Sequence, residues 1–253
     1  GVWAFLDAHM DRFFEACKAV SLDPLWDRQG LFEALEMTRR ANGMETDVHA
    51  RLMVTRGVKV RPFQHPSLSR SGPTRVIIME HSKPVDRLRS AGVRLATVPQ
   101  VRGLPMSQDA KYNSHSKLNC VIAALQAAQA GADEGLMLDP HGFVNTTNAC
   151  NFFIVRKGEV WTSTGDYCMN GITRAKVIRI CRENGIPVFE RNFSLVDTYS
   201  ADEAFLTGTF GAQTPVGSID GRVIGTGQMG PMTQRLRGLY KELVARDSAE
   251  NRL

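Results

Sequence analysis

The chain has 253 residues, of which 43% are hydrophobic, enough to bury the core of one large domain or of two domains of about 100–150 residues each. Its net charge of +5 comes from interspersed acidic and basic residues without a Lys/Arg block, which argues against a nucleic-acid-binding protein. No apolar run approaches the ~20 residues of a membrane span and no signal peptide is recognisable, so we expect a cytoplasmic protein without a membrane partner.

The first hundred residues predict two helices followed by three strands. Pro24 ends the first helix, and Asn42-Gly43 is a typical C-terminal cap for the second. The predicted elements are helices over 6–20 and 31–40 and strands over 49–55, 75–79 and 93–98. This order indicates an α/β domain over residues 1–100, with a linker at 101–105.

Residues 106–253 predict a mixed domain with many short strands. Asn184-Gly185 caps one helix and Pro231 begins the last one. The predicted helices cover 116–130, 171–184 and 231–245, and the predicted strands cover 134–138, 142–145, 151–155, 159–162, 187–190, 203–207 and 213–219.

A metal or disulfide framework is not expected. The five cysteines are odd in number, widely spaced and without a C-x-x-C pair, which predicts free thiols. The six histidines have no metal-ligand spacing.

Three features of the sequence are suited to binding a phosphate. A Gly-Ile-Thr helix start offers unpaired N–H groups, a Thr-Gly-Thr turn after an apolar strand offers hydroxyls and amides, and an arginine on the first helix offers a bidentate fork. Each feature alone is common, and the prediction depends on their combination. The candidate phosphate ligands are Arg12, Gly171, Ile172, Thr173, Thr207, Gly208 and Thr209.

The order of these motifs resembles the fold-type IV pyridoxal 5'-phosphate (PLP) enzymes, which include branched-chain aminotransferases, D-amino acid aminotransferases and aminodeoxychorismate lyases. The resemblance covers about residues 1–245. It is carried by His9-Met10-Asp11-Arg12-Phe13, Asp139-Pro140-His141-Gly142, Gly171-Ile172-Thr173-Arg174 and Thr207-Gly208-Thr209.

This resemblance implies a two-domain α/β (α+β) fold of the D-amino acid aminotransferase type. A small N-terminal α/β domain over 1–100 would precede a larger C-terminal domain over 106–253, a mixed β-barrel with helices. Family chains carry further residues before the His-x-x-Arg helix, so we expect the first domain to lack its first strands. The resemblance also implies a PLP phosphate cup made of the three motifs, and a homodimer.

The chain departs from the family at the Schiff-base lysine. That lysine lies five residues before the leucine of a Leu-Asn step, here Leu118-Asn119, and the position is occupied by Asn113. An amide cannot form the Schiff base, because its nitrogen lone pair is delocalised. Lys111 shares a face with Asn113 in an extended chain and Lys117 does so in a helix, so either is a candidate replacement amine, while surface positions explain both equally well.

A second departure concerns the pyridine nitrogen of PLP. The family places a glutamate four residues after the glycine of its Asp-x-x-Gly turn, where the carboxylate keeps that nitrogen protonated. Counting from Gly142 gives Thr146, whose hydroxyl can hydrogen-bond the nitrogen but cannot hold a proton there by charge. We therefore expect a weaker electron sink.

Three functions follow from these observations. The first is PLP-linked amino-group transfer between an amino acid and a 2-oxo acid, with Lys117 or Lys111 replacing the missing lysine. The second is a diverged member that binds PLP or another phosphorylated or anionic ligand noncovalently, with lyase or hydrolase chemistry, and the third is a non-catalytic paralogue. The substrate is not evident. Arg102 at the linker and Arg61 in a loop are candidate anion contacts by position, although arginines more often lie on the surface.

Overall fold

The computed structural model describes residues 2–81, 92–209 and 211–250. Its backbone contacts divide the chain into two units, Gly1–Lys83 together with Asn251–Leu253, and Pro84–Glu250. Residues 101–105, predicted as a linker, lie within the second unit. Among the helices that the structure describes, none is both long enough and apolar enough to cross a membrane.

The first unit consists of helices and one strand pair. Its elements are α1 (Leu6–Ala19), α2 (Arg28–Ala41), β1 (Val48–Thr55), a short 3-10 helix (Pro66–Leu68) and β2 (Thr74–His81). Strands β1 and β2 pair antiparallel along their full length, from Val48 opposite His81 to Thr55 opposite Thr74. The helices and strands predicted for these residues are confirmed.

Local sequence signals explain the ends of α2. The Asp27 side chain accepts a hydrogen bond from the Gly30 N–H at 2.7 Å, which caps the helix start. After Asn42 at the other end, Gly43 takes a positive φ of 61°, a conformation that glycine adopts without strain. The apolar face of α2 is buried, with Leu31 and Leu35 in a core that includes Met10 of α1 and one face of the strand pair.

The second unit is larger and mixed. Its elements are β3 (Val93–Thr97), α3 (Pro105–Gln108), α4 (Leu118–Gln129), β4 (Glu134–Leu138), β5 (Val144–Thr147), β6 (Asn151–Arg156), β7 (Glu159–Thr162), α5 (Ile172–Glu183), β8 (Val188–Glu190), α6 (Leu195–Tyr199), β9 (Glu203–Gly208), β10 (Ala212–Ile219), β11 (Arg222–Val223) and α7 (Pro231–Glu250).

Some elements of this unit differ from the sequence prediction. Strand β5 begins two residues later than predicted, because the Asp139 carboxylate accepts the N–H groups of His141 and Phe143 and holds that segment as a turn. Helix α6 was not predicted from sequence. It begins at a capping box in which the Ser194 and Asp197 side chains each accept from the other's backbone N–H.

Six strands of the second unit form a closed barrel in the order β10-β3-β4-β5-β6-β9, with β9 pairing with both β6 and β10. Strand β3, which the sequence analysis grouped with the first α/β domain, pairs parallel with β4 and β10. Beyond the barrel, β7 and β8 extend the sheet from β6, and β11 pairs with β10. The barrel predicted from the resemblance is confirmed.

The barrel interior is apolar. Alternate residues point inward and form one core cluster, including Leu95, Leu136, Phe152, Leu206 and Val216. The intervening residues face outward, where Phe153 of β6 and Phe205 of β9 stack with ring centroids 4.9 Å apart. Helices α5 and α7 pack against β9 on this outer side.

A buried carboxylate at the start of β9 caps α7. Glu203 accepts the N–H of Met232 through Oε1 and that of Thr233 through Oε2, both at 2.8 Å. Gly230 permits this approach, because an added Cβ would lie 2.1 Å from the carboxyl carbon of Glu203. The carboxylate therefore satisfies two unpaired amides at the positive end of the helix dipole.

We expect Glu203→Gln to lower the free energy of unfolding by about 1–2 kcal/mol, because the amide has one accepting oxygen and no charge. Urea unfolding measures this change. Glu242→Gln, at an exposed position of α7, is the matched control and should change the free energy of unfolding little. Equal effects of the two substitutions would show that Glu203 is not a cap.

Candidate functional site

Four buried polar residues form a row across neighbouring strands of the barrel. Thr146 of β5 lies opposite Asn151 of β6, Asn151 lies opposite Thr207 of β9, and Thr207 lies opposite Gln213 of β10. Directly opposed residues share a face of the sheet, and this face is the outer one. The four side chains, hereafter the polar row, are 1–7% exposed.

The N-terminus of α5 lies against this row. Gly171 precedes the helix, and a Cβ added there would lie 2.3 Å from Asn151 Oδ1, so a side chain at this position would displace Asn151 or the helix start. Asn151 is held in place because its Nδ2 donates to the Met169 carbonyl at 2.9 Å. The helix start has no side-chain cap, and its first N–H groups lack intrahelical acceptors. Such a terminus favours an anion.

The Thr207-Gly208-Thr209 turn ends β9 beside the same helix start. The Thr207 hydroxyl is buried and has no hydrogen-bond partner among the described residues. Gly208 is half-buried next to Cys150, since an added Cβ would lie 3.5 Å from Cys150 Sγ, and Thr209 is exposed. The structure therefore brings the two predicted motifs, 171–173 and 207–209, together at Asn151.

Two further buried side chains, on the two outermost strands of the row, carry polar atoms without partners. Both amide atoms of Gln213 and Oδ1 of Asn145 make no hydrogen bond within the part of the chain described. A buried polar group without a partner costs about 1–3 kcal/mol, so clustered examples point to a ligand. Sequence analysis missed Gln213 and Asn151, because their proximity depends on strand register.

Thr146, which the motif spacing aligns with the family glutamate, is buried at the first strand of the row. Its hydroxyl donates to the Cys150 carbonyl at 2.6 Å, which leaves the oxygen as an acceptor. Asn145 before it is an extra residue at a register shift, because Thr146 pairs with Met137 and Val144 pairs with Leu138. Bulges of this kind re-aim side chains at functional sites.

The candidate lysines lie before α4. Lys117 Nζ donates to Asn113 Oδ1 at 2.9 Å, so its amine lies at the side chain that the motif spacing aligns with the family lysine. The residues between them are not helical, in contrast to the geometry expected for this pair. Lys111 lies in a turn where its backbone N–H donates to Asp109 Oδ1. Both lysines are exposed.

A buried arginine connects the start of α4 with the polar row. Arg102 is 8% exposed, whereas a surface position is usual for arginine. Its Nε donates to the Tyr167 carbonyl at 2.9 Å, and its Nη1 lies 3.3 Å from Cys120 Sγ and 4.0 Å from Met137 Sδ. Met137 lies opposite Thr146. The first turn of α4, which Lys117 precedes, is therefore close to the first residue of the row.

Arg12 lies on α1 and belongs to the first unit. It is half-buried there, and burial lowers the pKa of its guanidinium. The other candidate phosphate ligands and both candidate lysines belong to the second unit.

Comparison with known proteins identifies relatives over nearly the whole chain. The family model for amino-transferase class IV matches residues 1–219. Branched-chain-amino-acid aminotransferase-like protein 2 of Arabidopsis thaliana is 39% identical over 94% of this chain and 42% of its own length. The putative branched-chain-amino-acid aminotransferase of Methanocaldococcus jannaschii is 36% identical over 96% of this chain and 83% of its own length. The chain thus spans about two fifths of the Arabidopsis relative.

A solved structure agrees with these relatives. The branched-chain amino acid aminotransferase from Thermobaculum terrenum, in its PLP form, superposes with a TM-score of 0.86 at 27% identity, covering 98% of this chain and 80% of that one. The fold and the matched span agree with what the motifs predict. This chain therefore belongs to the amino-transferase class IV family.

Proposed function

We propose that this protein transfers an amino group between an amino acid and a 2-oxo acid, with PLP as its cofactor. The observation that carries the proposal is the convergence of an uncapped helix start and an unpartnered buried hydroxyl at Asn151. Together they fit a phosphate group. The Thermobaculum terrenum relative, whose structure is that of the PLP form, supports this choice of cofactor.

The phosphate would be held by neutral groups of the second unit. The backbone amides of Ile172 and Thr173 favour an anion because they lie at the positive end of α5. The Thr207 hydroxyl and the amides of the following turn supply further donors. Arg12, the charged group that the family resemblance adds to this set, remains a prediction.

PLP supplies an electron sink when the bond between the substrate's Cα and its hydrogen breaks. Thr146 would bind the ring nitrogen through its free acceptor, which stabilises the protonated nitrogen less than a carboxylate does. Lys117 would carry the proton to and from the reacting carbon, and Asn113 orients its amine. We therefore propose a slower transaminase than relatives with a carboxylate at this position.

The structure also supports a homodimer. Leu118, Val121 and Leu125 form a stripe at helical spacing along α4 and are 52–70% exposed, and Met106 of α3 is 90% exposed. Large apolar side chains clustered in this way are typical of protein interfaces. We propose that a second copy of the chain covers this stripe.

Leu125→Glu should convert the dimer into a monomer, because a carboxylate cannot be buried in an apolar interface without a large desolvation cost. Size-exclusion chromatography with light scattering measures the mass. Val196→Glu introduces the same charge at an exposed apolar position of α6, outside the stripe, and should leave the mass unchanged. A wild-type chain that is monomeric at all concentrations contradicts the proposed homodimer.

Covalent attachment of PLP should occur at Lys117. The protein is incubated with PLP, reduced with borohydride and mapped by peptide mass spectrometry, and amino transfer is assayed with leucine or D-alanine as donor. Lys117→Gln should remove the phosphopyridoxyl mass and lower the rate at least about 100-fold, the usual range for loss of a general base. Lys111→Gln, six residues earlier, is the matched control and should retain both.

Other outcomes discriminate among the open functions. A phosphopyridoxyl mass on Lys111 would reassign the amine. PLP binding without a covalent adduct or amino transfer would favour the diverged member with a noncovalent ligand. Absence of any PLP binding contradicts the proposed function.

Gly171→Ala should weaken PLP binding about tenfold or more, because the new methyl group collides with Asn151 and displaces the start of α5 from the phosphate. Gly238→Ala in α7 is the matched control, since nothing lies within 4 Å of the added Cβ. Titration with PLP and with pyridoxal, which lacks the phosphate, measures the effect. An equal loss of affinity for both ligands would place the damage outside the phosphate site.

A further inference from the structure

Gln213 is an unusual residue for its position. Its side chain is 1% exposed on the outer face of β10, and neither its amide oxygen nor its amide nitrogen has a hydrogen-bond partner in the described chain. A methionine would fill a similar volume without leaving polar atoms unpaired. Glutamine therefore lowers the stability of the ligand-free protein, and a role in ligand binding explains its presence.

The residue opposite Gln213 also has a buried polar group without a hydrogen-bond partner among the residues described. Thr207 lies directly opposite in the register of β9 and β10, and its hydroxyl is also buried without a partner among the residues described. Opposed residues on one face have Cβ atoms about 4.5–5.5 Å apart, which is within reach of a glutamine amide.

The hydrogen-bonding capacity of a threonine hydroxyl indicates which residue of this pair donates and which accepts. The hydroxyl has one proton to donate and two lone pairs that accept. The dianion of a phosphate monoester can only accept from this hydroxyl, which leaves the lone pairs of Thr207 Oγ1 available to another donor. Gln213 Nε2 is an unpartnered donor across the strand pair within the described chain, whereas Asn151 Nδ2 on the other side already donates to the Met169 carbonyl and to Cys168 Sγ.

We propose that Gln213 is a positioning residue of the anion site, whose amide N–H donates to Thr207 Oγ1 when a phosphate group binds and so directs the hydroxyl proton at that phosphate. This inference rests on the proposed phosphate site and assigns a role to a residue outside its motifs. Accepting a hydrogen bond also polarises the hydroxyl and strengthens its own donation. A neutral amide does this without repelling the anion.

The test uses Gln213→Met in the full chain and two measurements. Without ligand, urea unfolding should show equal or higher stability, because a buried unpaired amide is replaced by an apolar group of similar size. The dissociation constants for inorganic phosphate and for PLP should both rise about tenfold, because the hydrogen bond from the Thr207 hydroxyl to the charged ligand is then no longer directed. Substitution of a core residue with a purely structural role would not combine equal or higher stability with weaker phosphate binding.

Thr233→Val is the matched control. Thr233 is fully buried at the start of α7, and its hydroxyl is likewise unpartnered within the described residues. It contacts Glu203, at the opposite end of β9 from Thr207. This substitution should leave stability equal or higher and leave both dissociation constants unchanged.

A double-mutant cycle tests whether Gln213 acts through Thr207. In a Thr207→Val background, Gln213→Met should cause no further loss of phosphate affinity, because the hydroxyl that it positions is gone. An undiminished further loss overturns the positioning role. Unchanged phosphate affinity in the single Gln213→Met variant overturns the inference entirely.

The inorganic phosphate titration separates this inference from the proposed function. A protein that binds phosphate through Gln213 but neither binds PLP nor transfers amino groups would retain the inference and lose the proposed function. Normal PLP binding and amino transfer that do not change in the Gln213→Met variant would retain the proposed function and overturn the inference. A wild-type protein that binds neither ligand overturns both.

Discussion

The pairing of β9 with both β6 and β10 is the constraint on which the candidate site depends. It closes the barrel, and it places Thr207 between Asn151 on one side and Gln213 on the other. The start of α5 packs directly against Asn151, because Gly171 has no side chain to separate them. Without this one strand in this register, the helix terminus, the hydroxyl and the amide would have no common location.

Local signals in the sequence predict much of this structure. Caps and apolar periodicity locate α1, α2 and α5, and the Gly-Ile-Thr and Thr-Gly-Thr motifs are recognisable without the fold. Contacts between distant segments are not predictable in the same way. The placement of β3 in the barrel and the proximity of Asn151 to Thr207 follow from pairing between strands far apart in the sequence. The burial of Arg102 follows from its contacts with Cys120 and Tyr167, which are also distant.

The candidate site consists largely of neutral groups. By the family resemblance, Thr146 aligns with a carboxylate and Asn113 with a lysine, and the groups proposed to bind the anion in the second unit are amides and hydroxyls. The proposed anion site would therefore rely on oriented dipoles in a buried setting, where they act more strongly than in water. Lys117, which contacts Asn113, is exposed, so its proposed role requires that bound substrate or another segment cover it.

The polar row lies on the outside of a barrel whose interior is a separate apolar core. Residues that bind ligand and residues that hold the strands together are thus different sets on opposite faces of the same sheet. Substitutions on the outer face can therefore change ligand chemistry while the inner face keeps the fold intact. The scaffold is therefore mutationally permissive at its ligand face, so descendants can acquire new chemistry without first acquiring a new architecture.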